Sequence, residues 1–167
     1  MLCLLEASSI AISHAAPTHL EKLDSLQHRF LRHIGLDERE AFLNKRYNLA
    51  PLQLRRDIGA LGLLHKIQLG EAHEDFESLL PKLVHPFTAG TRRNERRHGR
   101  QFFEQFGRTD YFNRSLFSMC RVYNVLPWYV FQAESVSLFQ KLLTKDAKFA
   151  CRHGTCEWQI MYNNRAR

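Results

Sequence analysis

Apolar positions recur at a helical interval through "APTHLEKLDSLQHRFLRHIGLD", where Leu20, Leu23, Phe30, Leu31 and Ile34 mark a predicted first helix. Pro17 suits its first turn, because the nitrogen of that turn has no intrahelical partner to lose. Gly35 is placed to close the helix in the left-handed conformation, and Arg29, Arg32 and His33 sit near the end that favours cations. Asp37 followed by Glu40 resembles a capping box for a short helix through "EREAFLNKRY". From Pro51 a second stripe begins: Leu52, Leu54, Ile58, Leu61, Leu64 and Ile67. Gly59 and Gly62 interrupt it, each at a cost of about 1 kcal/mol relative to Ala. Two helices or one bent helix are therefore expected, with Asp57 as an internal cap. "HEDFESLLPK" predicts a short helix stopping at Pro81.

The pattern then lapses. Residues 81–108 hold Pro81, Pro86, Gly90 and Gly99 with little periodicity, and read as a linker or long surface loop. Helical spacing returns at Asp110, a candidate N-cap, with Phe112, Leu116, Cys120 and Tyr123 on one face. Asn124 is expected to take the left-handed C-cap conformation, and Pro127 to bar continuation. Leu126 would fold back on the last turn. Ser135 can cap a final helix, with Val136, Phe139, Leu142 and Leu143 facing inward, before a polar tail that frays past Cys151. No strand-like alternation and no internal repeat occurs. The expected fold is mainly α, a small multi-helix bundle of roughly five to seven helices. It falls into two helical subdomains, residues 1–80 and 109–167, joined by the basic loop.

Composition adds two constraints. A chain of 167 residues with 44% hydrophobic and 25% charged positions can bury a core. Lys and Arg number 24 against 17 acidic residues, a formal charge of +7. That balance suits polyanionic partners, although many ordinary proteins are mildly basic. Cys3, Cys120, Cys151 and Cys156 form no CxxC pair, which favours a reduced, intracellular chain, nuclear or cytoplasmic. The start "MLCLLEASSIAISHAA" is apolar but lacks a basic leader, and Glu6 breaks its run, so a signal peptide is not expected. No stretch approaches the roughly 20 apolar residues of a membrane span.

Candidate chemistry is sparse. No adjacent aspartates, phosphate-binding glycine loop or nucleophile elbow is present, and no small-molecule substrate or cofactor is implied. "CRHGTC" offers Cys151, His153 and Cys156 as zinc ligands, but a fourth would have to come from afar, such as Cys120; a tail with two thiols is the simpler reading. "TRRNERRHGR" is the strongest signal. Arg92, Arg93, Arg96, Arg97 and Arg100 fall within nine residues, opposed only by Glu95. Guanidinium forks match phosphate oxygens in pairs, so these five are the candidate contacts to an RNA or DNA backbone. A solvated face and a nuclear-localisation signal are the other readings. Phe102, Phe103 and Phe106 could stack on bases or re-enter the core, and the core is the expectation.

The run "YFNRSLFSMCRVYNVLPWYVFQAESVSLFQKLL" resembles the C-terminal region of non-LTR (LINE-type, jockey-like) retrotransposon reverse transcriptases. The matching elements are Arg114 to Leu116, Tyr123 to Pro127, and Ser135 to Leu142. Tyr123 stands where many members carry Trp, and Leu116 where many carry Phe. "HAAPTHLEKLDSLQHRFLRHIG" and "LAPLQLRRDIGALGLLHKIQLG" are similar to the segments that follow the polymerase palm. The resemblance implies a noncatalytic, thumb-adjacent part that holds nucleic acid. No catalytic residue carries over, because the palm aspartates, the endonuclease domain and the zinc knuckle of the family have no counterpart here. Met1 falls mid-chain in the family. An alternative reading is thus a helical protein-interaction module that docks on a polymerase core, with apolar surface exposed. An enzyme built on Cys and His residues has no supporting constellation.

Overall fold

The computed structural model describes Ile12 and residues 15–44, 46–83 and 99–153. Among these residues the chain is mainly helical, with seven α-helices, one 3-10 turn and no strand. In order they are α1 (Pro17–His33), α2 (Glu38–Leu43), α3 (Leu52–Leu69), α4 (Glu74–Leu79), α5 (Asp110–Asn113), α6 (Leu116–Asn124), the 3-10 turn Trp128–Gln132 and α7 (Val136–Arg152). The expectation of a mainly α, multi-helix bundle holds.

Several ends are formed by the residues anticipated for them. Pro17 opens α1. Gly35, at φ 71°, closes it with a paired set of bonds: its own N–H to the Arg32 carbonyl and the Leu36 N–H to the Leu31 carbonyl, at 3.1 and 2.9 Å. Ser135 Oγ accepts the Leu138 N–H at the start of α7. Asp37 caps α2, but its carboxylate takes the Arg39 N–H, and the helix ends at Leu43. Thr109, not Asp110, caps α5 through the Phe112 N–H. The chain then turns at Arg114–Ser115, so Phe112 and Cys120 belong to different helices.

α3 runs unbroken through Gly59 and Gly62, against the expectation of a break or bend. Its whole expected stripe is buried, together with Arg56, Ala60, Gly62 and His65, so it is covered on several sides. Gly62 lets a neighbour come close: a Cβ there would lie 2.3 Å from Gln140 Nε2 on α7. Asp57 caps nothing internal; its carboxylate accepts from the Gln53 side chain at 3.1 Å.

α3 packs chiefly on α7, and also on α6 and α1. One apolar cluster runs from Phe42 through Leu54, Leu61, Leu64 and Ile67 to Met119, Tyr123, Phe139, Leu143 and Cys151. The helices on the two sides of residues 81–108 therefore share one core. α1 lies at its edge. Leu31 is buried there, whereas Phe30 and Ile34 face outward. Arg56, only 3% exposed, ties α1 to α3 by donating to both oxygens of Asp24, at 2.9 and 3.2 Å. Its Nε and Nη2 also donate to Gln53 Oε1, at 3.3 and 2.9 Å. The Asp24 carboxylate thus pairs the charge of the buried guanidinium.

Candidate nucleic-acid interface

The basic stretch leaves the core from a short neck. Residues 81–83 and 101–103 run antiparallel: Leu83 N–H donates to the Gln101 carbonyl at 2.8 Å, and Phe103 N–H to the Pro81 carbonyl at 3.0 Å. Gln68 Nε2 also donates to the Gln101 carbonyl. Phe102 is buried, edge-on to Tyr123 with ring centroids 5.3 Å apart.

Asn124 fastens this neck. It is the last residue of α6, with Val125 following at φ −102°, so the left-handed C-cap expected of it is not formed. Its side chain is buried instead. Oδ1 accepts the Phe102 N–H at 2.9 Å, and Nδ2 donates to the Phe102 carbonyl at 2.8 Å and to Glu104 Oε1 at 3.1 Å. A carboxamide is the side chain that can both accept from and donate to one residue's backbone. Leu126 is buried as expected, and Pro127 precedes the 3-10 turn.

Of the five arginines expected to meet phosphate, Arg92, Arg93, Arg96 and Arg97 lie outside the described residues. Arg100 is exposed at the mouth of the neck. The segment that follows the neck exposes aromatic and basic side chains. Phe103 is 56% and Phe106 79% exposed, so of the three phenylalanines only Phe102 enters the core. Arg121 lies over the Phe106 ring, 5.1 Å from its centre, and reaches Glu104 at 3.5 Å. Arg108 is exposed two residues beyond Phe106. Guanidinium groups beside open aromatic faces are groups that can meet phosphates and bases respectively.

Below the neck sits a polar core pair that sequence reading did not single out. His65 is fully buried, with its ring stacked on Phe139 at 4.1 Å. Nδ1 lies 3.1 Å from the Tyr123 hydroxyl and Nε2 lies 3.3 Å from the Ala133 carbonyl. One neutral tautomer satisfies both: Nε2–H donates to the carbonyl while Nδ1 accepts from Tyr123. Burial lowers the His65 pKa, with the Ala133 bond opposing, Arg100 lowering it further and Glu71 raising it. Burial pushes the Tyr123 hydroxyl far up. The pair thus stays neutral and internal, a structural role. The only sequence hint was a histidine inside an apolar stripe.

The cysteines give little support to a metal. Burial, with Glu104 adding to it, raises the Cys120 thiol to about 12, far from the thiolate that binds zinc. His153 Nδ1 faces the Phe149 carbonyl at 2.8 Å. Among the described residues no three His, Cys, Asp or Glu side chains gather as a metal site, and Cys156 lies outside them. Among the same residues no helix is long and apolar enough to cross a membrane. No known protein family, curated protein or solved structure matches the chain.

Proposed function

We propose that this chain is a noncatalytic, nucleic-acid-binding helical module of the kind that follows the polymerase in LINE-type reverse transcriptases. One observation supports it above others: the arginine-rich stretch is joined to the core through a neck, with Arg100 exposed at its outer end and Phe103, Phe106 and Arg108 exposed in the segment that follows. Such a neck fixes where phosphate-binding groups leave the fold, while the aromatic rings offer sequence-tolerant stacking. The test is a salt titration of fluorescence anisotropy with a labelled RNA oligonucleotide and a labelled DNA duplex. Five phosphate contacts give a log–log slope of roughly −3.5 to −4.5. Replacing Arg92, Arg93, Arg96, Arg97 and Arg100 by Gln is expected to remove most of that slope for both nucleic acids. Unchanged binding and slope in the five-Gln protein would falsify this reading.

A protein-interaction module is the second reading, and α1 favours it. Leu26, Phe30 and Ile34 recur every fourth residue and are all exposed, a stripe that flanks the buried line of Gln27 and Leu31. In this reading the stripe packs on a polymerase core. Phe30→Asp would then abolish pull-down by such a core and leave oligonucleotide affinity intact.

A further inference from the structure

α7 carries a second run of basic residues, distinct in sequence from the arginine-rich stretch. Its inner side is used up by the core through Phe139, Leu143, Ala147, Ala150 and Cys151. On the outer side Lys141, Lys145, Lys148 and Arg152 follow one another at steps of four, three and four residues. These steps put all four cations on one face. At 1.5 Å per residue the row is about 16 Å long. The single acid of α7, Asp146, stands on a different face, where it accepts a hydrogen bond from the Tyr129 hydroxyl. Among the described residues no carboxylate lies within ion-pair distance of Lys141, Lys145 or Arg152. An ordinary solvated helix face interleaves both signs, and this one does not.

The row is also built into the fold at its far end. The Lys148 ammonium donates to Asn48 Oδ1 and lies over the Phe42 ring, 5.4 Å from its centre. Asn48 holds a left-handed backbone, φ 49°, in the loop that carries Arg46 and Tyr47. Arg46 stands over the Tyr47 ring at 5.8 Å. Arg39 Nη2 reaches the Arg152 carbonyl at 3.5 Å, and beyond it Asp37, Glu38 and Glu40 form an acidic border on α2. Desolvation, and to a smaller extent the nearby Arg152 charge, lower the Lys148 pKa.

We infer that the outer face of α7, Lys141, Lys145, Lys148 and Arg152, is a track for a phosphodiester backbone, bounded by the acidic α2 and ending at the Arg46–Tyr47 pair. The inference rests on the nucleic-acid reading above and names a second contact surface for it. A nucleic-acid strand is the occupant that fits, because a row of evenly spaced point charges matches a row of phosphates. A membrane surface would need a broad apolar side free to insert, and of the large apolar side chains of α7 only Leu138 and Phe149 are exposed, the others being wholly or partly covered by the core.

The test compares three proteins by salt-titrated anisotropy with a fluorescein-labelled RNA oligonucleotide: the parent, Lys141→Gln/Lys145→Gln/Arg152→Gln, and Lys22→Gln/Arg29→Gln/Arg32→Gln on exposed positions of α1. Lys148 is kept because it joins α7 to the Asn48 loop. Circular dichroism and urea midpoints verify that both variants fold. The α7 variant is expected to lower the slope by about 2–3, whereas the α1 variant, with the same charge change, leaves it nearly unaltered. Equal effects from both variants would mean that net charge alone acts, and overturn the inference. An α7 variant that binds like the parent, beside a five-Gln protein that does not bind, would overturn the track and leave the proposed function standing. A parent that binds no oligonucleotide overturns both. So does a parent that binds phosphatidylserine vesicles instead, which points to a membrane surface.

Discussion

Asn124 connects a helix end to a backbone segment more than twenty positions earlier, and no apolar pattern announces such a bond. Replacing it by Ala strands both the N–H and the carbonyl of Phe102 in a buried place. Each orphaned group costs about 1–3 kcal/mol, so Asn124→Ala is expected to lose roughly 2–4 kcal/mol in urea unfolding. Loss below about 0.5 kcal/mol, the size of an ordinary surface change, would show that the clamp is dispensable. His65 gives a second test at this scale. Its folded pKa lies below the ordinary value of 6.5, so the folded state resists a proton that the unfolded chain accepts. Its contribution is complete above about pH 6.5 and declines as pH falls below it, by up to about 1.4 kcal/mol per pH unit. His65→Gln keeps hydrogen-bonding groups but cannot titrate, so its stability should fall less on acidification than the parent's. Parallel pH profiles from denaturant titrations would count against this account.

At the level of elements, the α3–α7 pair is the central contact, and Gly62 is a point of close approach within it. Gly62→Ala should be nearly neutral, because a helix-propensity gain of about 1 kcal/mol opposes the displacement of the Gln140 amide. Gly62→Leu should destabilise by about 1–3 kcal/mol through overpacking, read as a lower urea midpoint. A stabilised Leu variant would mean that the helices do not meet there. The same glycine shows what the sequence could and could not disclose. Helix ends were legible where one residue supplies the physics locally: Pro17 with its fixed φ, Gly35 with its left-handed φ, Ser135 with its hydroxyl. The continuity of α3 was not, because a glycine's propensity cost is local while its benefit comes from a helix much later in the chain. Asn124 misled for the same reason, its local tolerance of left-handed backbone being overridden by a distant partner. The α7 row is written in the spacing of its lysines, but the apolar period of the same helix is the stronger signal and masks it. The arginine-rich stretch was the other way round: plain in composition, with a neck that only the fold could reveal.

For the molecule as a whole, the shared core sets how the two sides of residues 81–108 depend on each other. Leu54, Leu61 and Leu64 belong to the same cluster as Tyr123, Phe139 and Leu143. A site-specific protease sequence inserted between residues 84 and 98, then cut, should therefore yield two fragments that co-elute on native size exclusion and part only in denaturant. Fragments that separate on cutting would mean that each side stands alone. The shared core also dictates an order of events during synthesis. α7 begins at Val136, roughly 65 residues after α3 ends at Leu69. At roughly 5–20 residues per second, a ribosome takes several seconds to deliver the helix that covers α3. Throughout that interval a helix apolar on several sides stands without its main cover. The nascent chain is thus a client for chaperones that shield such surfaces, and a message cut short before α7 encodes an aggregating product rather than a smaller version of this fold.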